Sequence, residues 1–201
     1  MNAQKLSRKE ATIARSEAIL KSAMDVFSEC GFYEADVDEI AHRANVGKGT
    51  VYNHFGNKQK LFLSVVEWGI KSLEEKIIAS IENLESFQEK IHIASHIYFE
   101  FFENQKNFFR VLVREKSNFR EEMEKKFTKK YSIHLHILEN EIKRGIESDE
   151  LKGVNPHQCA VLLMGMYNAL IYDWFCMEMD GKLTDRIAII EELFFSGLMK
   201  Q

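Results

Sequence analysis

A single proline, Pro156, stands in 201 residues, so almost nothing in this chain forces a helix to stop. Glycine is sparse too, and few segments alternate apolar and polar residues with the period of two that a half-buried strand needs. Apolar residues instead recur at helical spacing. Ile19, Ala23, Val26, Phe27 and Cys30 share one face of a helix. The chain is therefore expected to be all-α. With 45% hydrophobic and 29% charged residues it has the composition of a globular protein, long enough to bury a core without disulfides or metals.

Cys30, Cys159 and Cys176 are odd in number, widely spaced and without a CxxC pair, which argues against a disulfide framework or a zinc site and for a reducing cytoplasm. The first residues lack the apolar core of a signal peptide. No stretch reaches the ~18 apolar residues that would span a bilayer. A net charge of −4 argues against nucleic acid, but its distribution argues the other way. Residues 40–61 carry Arg43, Lys48, Lys58 and Lys60 with no acid among them. A local basic face matters more for DNA than the total.

The punctuation predicts short helices first and long ones later. Ser7 and Glu10 have the spacing of a capping box, and Gly31 is a natural stop for the helix that follows. Asp36 and Glu39 form a second box. Asn45 suits a left-handed turn, and Gly47 is the expected N-cap of a third helix, with Val46 and Val51 in staple positions. Gly56 and Asn57 end that helix, and Asn57 can cap the next. Two short helices across a tight turn make a helix-turn-helix. A long helix is expected from Lys58 to about Asn83, then helices near 87–104, 106–115, 118–147, 156–179 and 184–199, the 156–179 helix opened by Asn155 and Pro156. The expected domains are 12–72 and 73–201.

Within Lys48–His54, Val51 and the following Phe55 face inward. Lys48, Thr50, Tyr52, Asn53 and His54 remain outside, and Gly49 lets the backbone approach a duplex. Thr50 and Tyr52 suit phosphates, and Lys48 and Asn53 suit base edges. Lys48, Lys58 and Lys60 lie in the first turns of helices, where a cation opposes the helix dipole unless an anion joins it. Lys5, Arg8 and Lys9 form either a basic arm or a solvated N-terminus.

This stretch resembles the TetR family of repressors. The matching residues are Ile19, Ala23, Phe27, Gly31–Tyr33, Val37–Ala41, Ala44, Val46, Gly49–Tyr52, His54–Phe55, Asn57–Lys58 and Leu61. The resemblance implies a homodimer on a palindromic operator, with Lys48, Gly49, Thr50, Tyr52, Asn53, His54 and Lys58 at the DNA. Asp36 stands where Thr is common and Gly47 where Ser is common. Asp36 still caps, but its charge would repel a phosphate there.

Residues 87–179 are rich in Phe, Met, Tyr and Leu at helical spacing, which reads first as core. The resemblance implies a pocket among these helices for a small apolar effector, with Phe102, Phe109, Tyr131, Leu135, Met166 and Leu170 as candidate lining. The tail from Glu139 is similar to acyl-CoA-responsive members of the family, at Ile142–Ile146, Leu151–Pro156, Gly165, Trp174 and Leu193–Leu198, which makes a fatty acyl-CoA one candidate. A drug-like or aromatic effector is the alternative. Arg110 and Arg114 suit either an anionic head group or surface salt bridges. Tyr167, Trp174, Ile187, Ile190, Phe194 and Leu198 are the expected dimer contacts, because an apolar terminal helix needs cover. His92 and His96 lack a well-spaced carboxylate partner set, so no metal, and no cofactor of any kind, is expected. No nucleophile–base pair, P-loop or dinucleotide fingerprint appears, so an enzyme is not expected. An effector-independent architectural DNA binder is the remaining rival.

Overall fold

The computed structural model describes the backbone of residues 2–115, 120–178 and 180–198, and the side chains of residues 10–112, 134–178 and 180–198. The described chain is helical throughout, in the order α1 (Asn2–Glu34), α2 (Val37–Arg43), α3 (Lys48–Phe55), α4 (Lys58–Ile81), α5 (Phe87–Asn104), α6 (Lys106–Glu115), α7 (Arg120–Glu147), α8 (Pro156–Cys176), a 3-10 turn (Leu183–Arg186) and α9 (Ile187–Leu198). It divides into two compact units. One is Met1–Lys71 with Lys106–Met123, and the other is Ser72–Gln105 with Glu124–Gln201. The first unit thus includes α6, which the expected domain limits assign to the second.

In the first unit, α1 breaks at Gly31, whose φ of 82° only glycine adopts without strain. The helix begins at Asn2, so Ser7 lies inside it rather than at its start. Ala, Gln, Lys and Leu upstream are good helix formers, and nothing there stops the backbone. The core is Ile19, Ala23 and Phe27 of α1, Ile40 of α2, Val51 of α3 and Leu61, Phe62 and Val65 of α4, each 3% exposed or less. Phe27 and Phe62 meet edge to face at 5.3 Å, and Phe32 joins Phe62 at 5.6 Å. Aromatic pairs so arranged contribute ~0.5–1.5 kcal/mol beyond their burial. α6 packs on α1, and Phe108 lies against Gly69 of α4.

The caps are local. Asp36 accepts from Asp38 N at 2.9 Å, Asn57 from Lys60 N at 2.8 Å, and Asn155 from Gln158 N at 2.9 Å ahead of Pro156. Asn45 turns the chain between α2 and α3 with φ 53°. Gly47 begins α3 in an extended conformation, and Gly56 ends it at φ 80°.

In the second unit, α5 packs on α9, and α8 packs on α9. By length and composition α8 could cross a membrane. It instead carries Leu163, Ile171 and Trp174, all 2% exposed or less, into the core of this unit. The register of these helices turns the expected dimer contacts toward the interior of this unit. Tyr167, Trp174, Ile187, Ile190, Phe194 and Leu198 are all 8% exposed or less within a single chain. Trp174 Nε1 donates to Gly181 O at 3.1 Å, and Tyr167 shares a hydrogen bond with Ser95. The outward stripes are Leu162, Gly165, Ala169 and Tyr172 on α8, and Ile189, Leu193 and Gly197 on α9.

A Cβ at Gly69 would run into the ring of Phe108, which is 1% exposed and has little room to move. Gly69→Ala is therefore expected to lower stability by ~1–3 kcal/mol, although alanine is the better helix former. Urea unfolding measures this, and a more stable variant would refute the packing.

Candidate nucleic-acid interface and effector cavity

α3 has eight residues, too few to persist alone. It is held by Val51, 1% exposed, and by the half-buried Phe55 and Val46. Val46 N donates to Ala41 O at 2.9 Å, which closes the turn from α2. With that side anchored, Lys48, Gly49, Tyr52 and Asn53 are exposed, while Thr50 and His54 are half-buried. A Cβ at Gly47 or at Gly49 would meet nothing within 4 Å. No packing inside the chain requires glycine at either place.

The lysines are less free than the sequence suggests. Lys48 Nζ donates to Asp38 Oδ2 at 2.6 Å, and this contact, with Asp38's charge, holds the ammonium above its usual pKa. Lys58 Nζ donates to Tyr33 O at 2.9 Å and sits 5.0 Å from the centre of the Phe32 ring. Arg43 forms a two-pronged pair with Glu29 at 2.7 and 2.9 Å and also reaches Glu39 at 2.7 Å. That guanidinium holds the Glu29 carboxyl below its usual range. Asp38 is the residue that the sequence reading missed. It lies ten positions from Lys48 on another helix, and nothing in the spacing marks the pair. Asp36 is exposed at the start of α2, its carboxylate turned to its own backbone.

The second unit holds a cavity of about 90 Å³ between α4, α5, α7 and α8. Its wall is mainly aliphatic, with Leu73, Ile77 and Ile81 of α4, Ile91 of α5, Ile137 and Leu138 of α7, and Met164 of α8. Two polar groups interrupt it. Lys90 and Glu141 pair at 2.7 Å, and Glu74 Oε2 stands 3.9 Å from His134 Nε2. Tyr98 and Tyr167 complete the lining, their rings 5.4 Å apart.

None of the described ligand candidates lines this cavity. Phe102, Leu135, Met166 and Leu170 belong to other faces of their helices. Phe109 belongs to the first unit, on α6. The side chains of Tyr131 and Arg114, like those of Lys5, Arg8 and Lys9, lie outside the described residues. The expected lining mixed aromatic, leucine and methionine positions, whereas the cavity is walled mainly by isoleucine and leucine side chains on other faces of the helices. Tyr167, expected at a dimer contact, lines the cavity instead. His92 Nδ1 is 2.7 Å from Glu191 Oε1, with the His96 ring 4.6 Å from its own.

Burial raises the Tyr167 phenol to about 12, against a lowering by the Ser95 hydrogen bond, and Glu191 adds to the rise. A group whose folded pKa is raised stabilises the fold fully below its unfolded pKa. That contribution is lost as pH rises through the folded pKa. Stability is thus expected to fall between pH 10 and about 12. Tyr167→Phe should flatten this part of the profile, measured by urea unfolding across that range, and an unchanged slope would refute the assignment.

Two family models match the chain. Residues 19–65 match "Bacterial regulatory proteins, tetR family", and residues 85–189 match "Tetracyclin repressor-like, C-terminal domain". An uncharacterised helix-turn-helix transcriptional regulator of Bacillus subtilis, YhgD, is 28% identical over 81% of this chain and 85% of its own length. A fatty acid metabolism regulator protein of the same organism is 24% identical over 90% of this chain and 93% of its own. The crystal structure of the transcriptional regulator FadR from Bacillus subtilis, in complex with stearoyl-CoA, superposes with a TM-score of 0.76 at 22% identity. It covers 90% of this chain and 98% of that one. With its helix-turn-helix unit and its C-terminal helical unit each matched, the chain belongs to the TetR family of bacterial transcriptional regulators.

Proposed function

We propose that the protein is a homodimeric repressor that binds a palindromic operator in the bacterial cytoplasm and is released by a small apolar effector. The observation that carries this reading is α3 itself. It is a short helix with one buried anchor, Val51, and an outward face of Lys48, Gly49, Thr50, Tyr52, Asn53 and His54. Glycine at 49 has no role in packing, and a backbone without a Cβ can lie close to a phosphate. Tyr52 and Thr50 donate to phosphates, as does Lys58 at the start of α4. Lys48 and Asn53 reach base edges.

The dimer forms through the two outward stripes. Leu162 and Tyr172 on α8 are 64% and 58% exposed, and Leu193 on α9 is 61% exposed. Gly165, Ala169 and Gly197 between them allow close helix contact. Paired about a two-fold axis, these neighbouring helices make a four-helix interface. Two recognition helices must then sit ~34–36 Å apart to reach successive half-sites.

The cavity between α4, α5, α7 and α8 supports an apolar effector. The likeness to a fatty acid metabolism regulator supports a fatty acyl compound. The tyrosine pair in the lining favours a second reading, an aromatic or drug-like effector.

An operator selected from random DNA tests the whole. Tyr52→Ala and Lys48→Ala should each weaken binding by about tenfold, and Lys58→Ala should reduce the salt slope by about one. Undiminished affinity in both would remove α3 from the interface. Leu162→Asp with Leu193→Asp should give a monomer by analytical ultracentrifugation that binds the operator weakly. A dimer would refute the stripes. Acyl-CoAs and planar aromatic compounds are then titrated into the complex, and release by neither class would favour an architectural DNA binder.

A further inference from the structure

The Lys90–Glu141 pair lies in the cavity wall, with the two side chains only 12% and 14% exposed. Lys90 is the one lysine or arginine among the described residues lining that cavity. Its Nζ meets Glu141 Oε2 at 2.7 Å. The other carboxylate oxygen, Oε1, accepts from Arg144 Nη1 at 2.6 Å. The two oxygens thus serve different cations. If Lys90 left, Glu141 would keep Arg144, but Lys90 would face an apolar wall unpaired, which is strongly unfavourable.

We infer that Lys90 is the head-group site of this cavity, exchanging the Glu141 carboxylate for the carboxylate of an alkyl carboxylate ligand. The inference rests on the effector reading above and narrows it to one ligand class. The exchange conserves the pairing of every charge. A neutral head group leaves Lys90 with Glu141, and a cationic one is drawn to Glu74 and away from Lys90. The second carboxylate of the lining fixes the direction. Glu74 is beside His134, seven residues before Glu141 on α7, or ~10 Å along that helix. An anion is repelled at that end and held at Lys90. Between the two ends, the wall from Leu73 to Ile81 offers ~12 Å of apolar surface to the alkyl chain.

The exchange also has a mechanical consequence. Lys90 is on α5 and Glu141 on α7, so their bond straps these helices together. A cavity of about 90 Å³ is small beside the ~300–1,000 Å³ of ordinary ligand sites. The ligand head removes the strap at the moment that its chain needs α5 and α7 to part.

The test is calorimetric titration of the full-length protein with dodecanoate, dodecanol and dodecanoyl-CoA. Dodecanoate is expected to bind at least about tenfold more tightly than dodecanol, the value of one charge-assisted contact. Lys90→Met should erase that gap and leave dodecanol unchanged. Glu141→Gln, which weakens the competing partner, should tighten dodecanoate. If Lys90→Met does not fold, the paired variant Lys90→Met with Glu141→Met removes both charges and takes its place. Equal binding of acid and alcohol, or a gap that survives removal of Lys90, overturns the inference. So does binding of dodecanoyl-CoA alone, where the anions are phosphates. Each of these leaves the effector cavity standing. Binding of none of the three to folded protein overturns both.

Discussion

Phe27 buried edge-on against Phe62 is the contact on which the DNA-facing unit rests. It joins α1 to α4 at the point where Phe32 and the short helices also converge. Neither α2, with seven residues, nor α3, with eight, can hold its shape by backbone hydrogen bonds alone. Each contributes only a few buried side chains to the common core. Ile40 and Val51 locate the two helices, and the Asn45 turn sets the angle between them. The aromatic cluster therefore fixes where the outward face of α3 can be. It also supplies the ring over which Lys58 sits, so the same contact places a cation at the start of α4.

Charge on this unit is arranged by exchange rather than by excess. Lys48 rests on Asp38, Arg43 on Glu29 and Glu39, and Lys58 on a backbone carbonyl. Exposed pairs of this kind add little to stability. They hold long side chains in defined positions, and they give a phosphate or a base edge something to compete with. A chain with a net charge of −4 can carry a local DNA-binding face on these terms. Its bases are concentrated where acids are absent in sequence, and the acids that balance them come from neighbouring helices or, with Glu39, from the preceding turn of the same helix.

The second unit solves a different problem. Its helices are apolar on more than one side, and the register decides which side is spent on the core. The Ile187, Ile190, Phe194 and Leu198 stripe closes the chain on itself, and the Ile189, Leu193 and Gly197 stripe is left outside. Several polar groups enter the interior in pairs. Tyr167 with Ser95, Lys90 with Glu141 and Trp174 with Gly181 are all satisfied in this way. Lys90 with Glu141 thus lies in the cavity wall without an unpaired charge against hydrocarbon.

Helix ends and the helix-turn-helix could be read from the sequence alone. The ends are marked by residues that act locally, such as Gly31, Asp36, Asn45, Gly56, Asn57 and Pro156, and a cap needs only its own turn. The face of α3 was legible for the same reason, since Val51 and its exposed neighbours follow from helical spacing. The start of α1 was not, because a missing breaker leaves no signal and Ser7 can sit inside a helix. Packing between distant segments sets which of two apolar faces lies inward, which side chains border a cavity, and which charges pair across helices. The outward apolar stripes, the cavity lining and Asp38 all fall in this class. Periodicity reports that a face is apolar. Whether that face meets its own chain, a ligand or a partner depends on packing between residues far apart in sequence, and that information is not local.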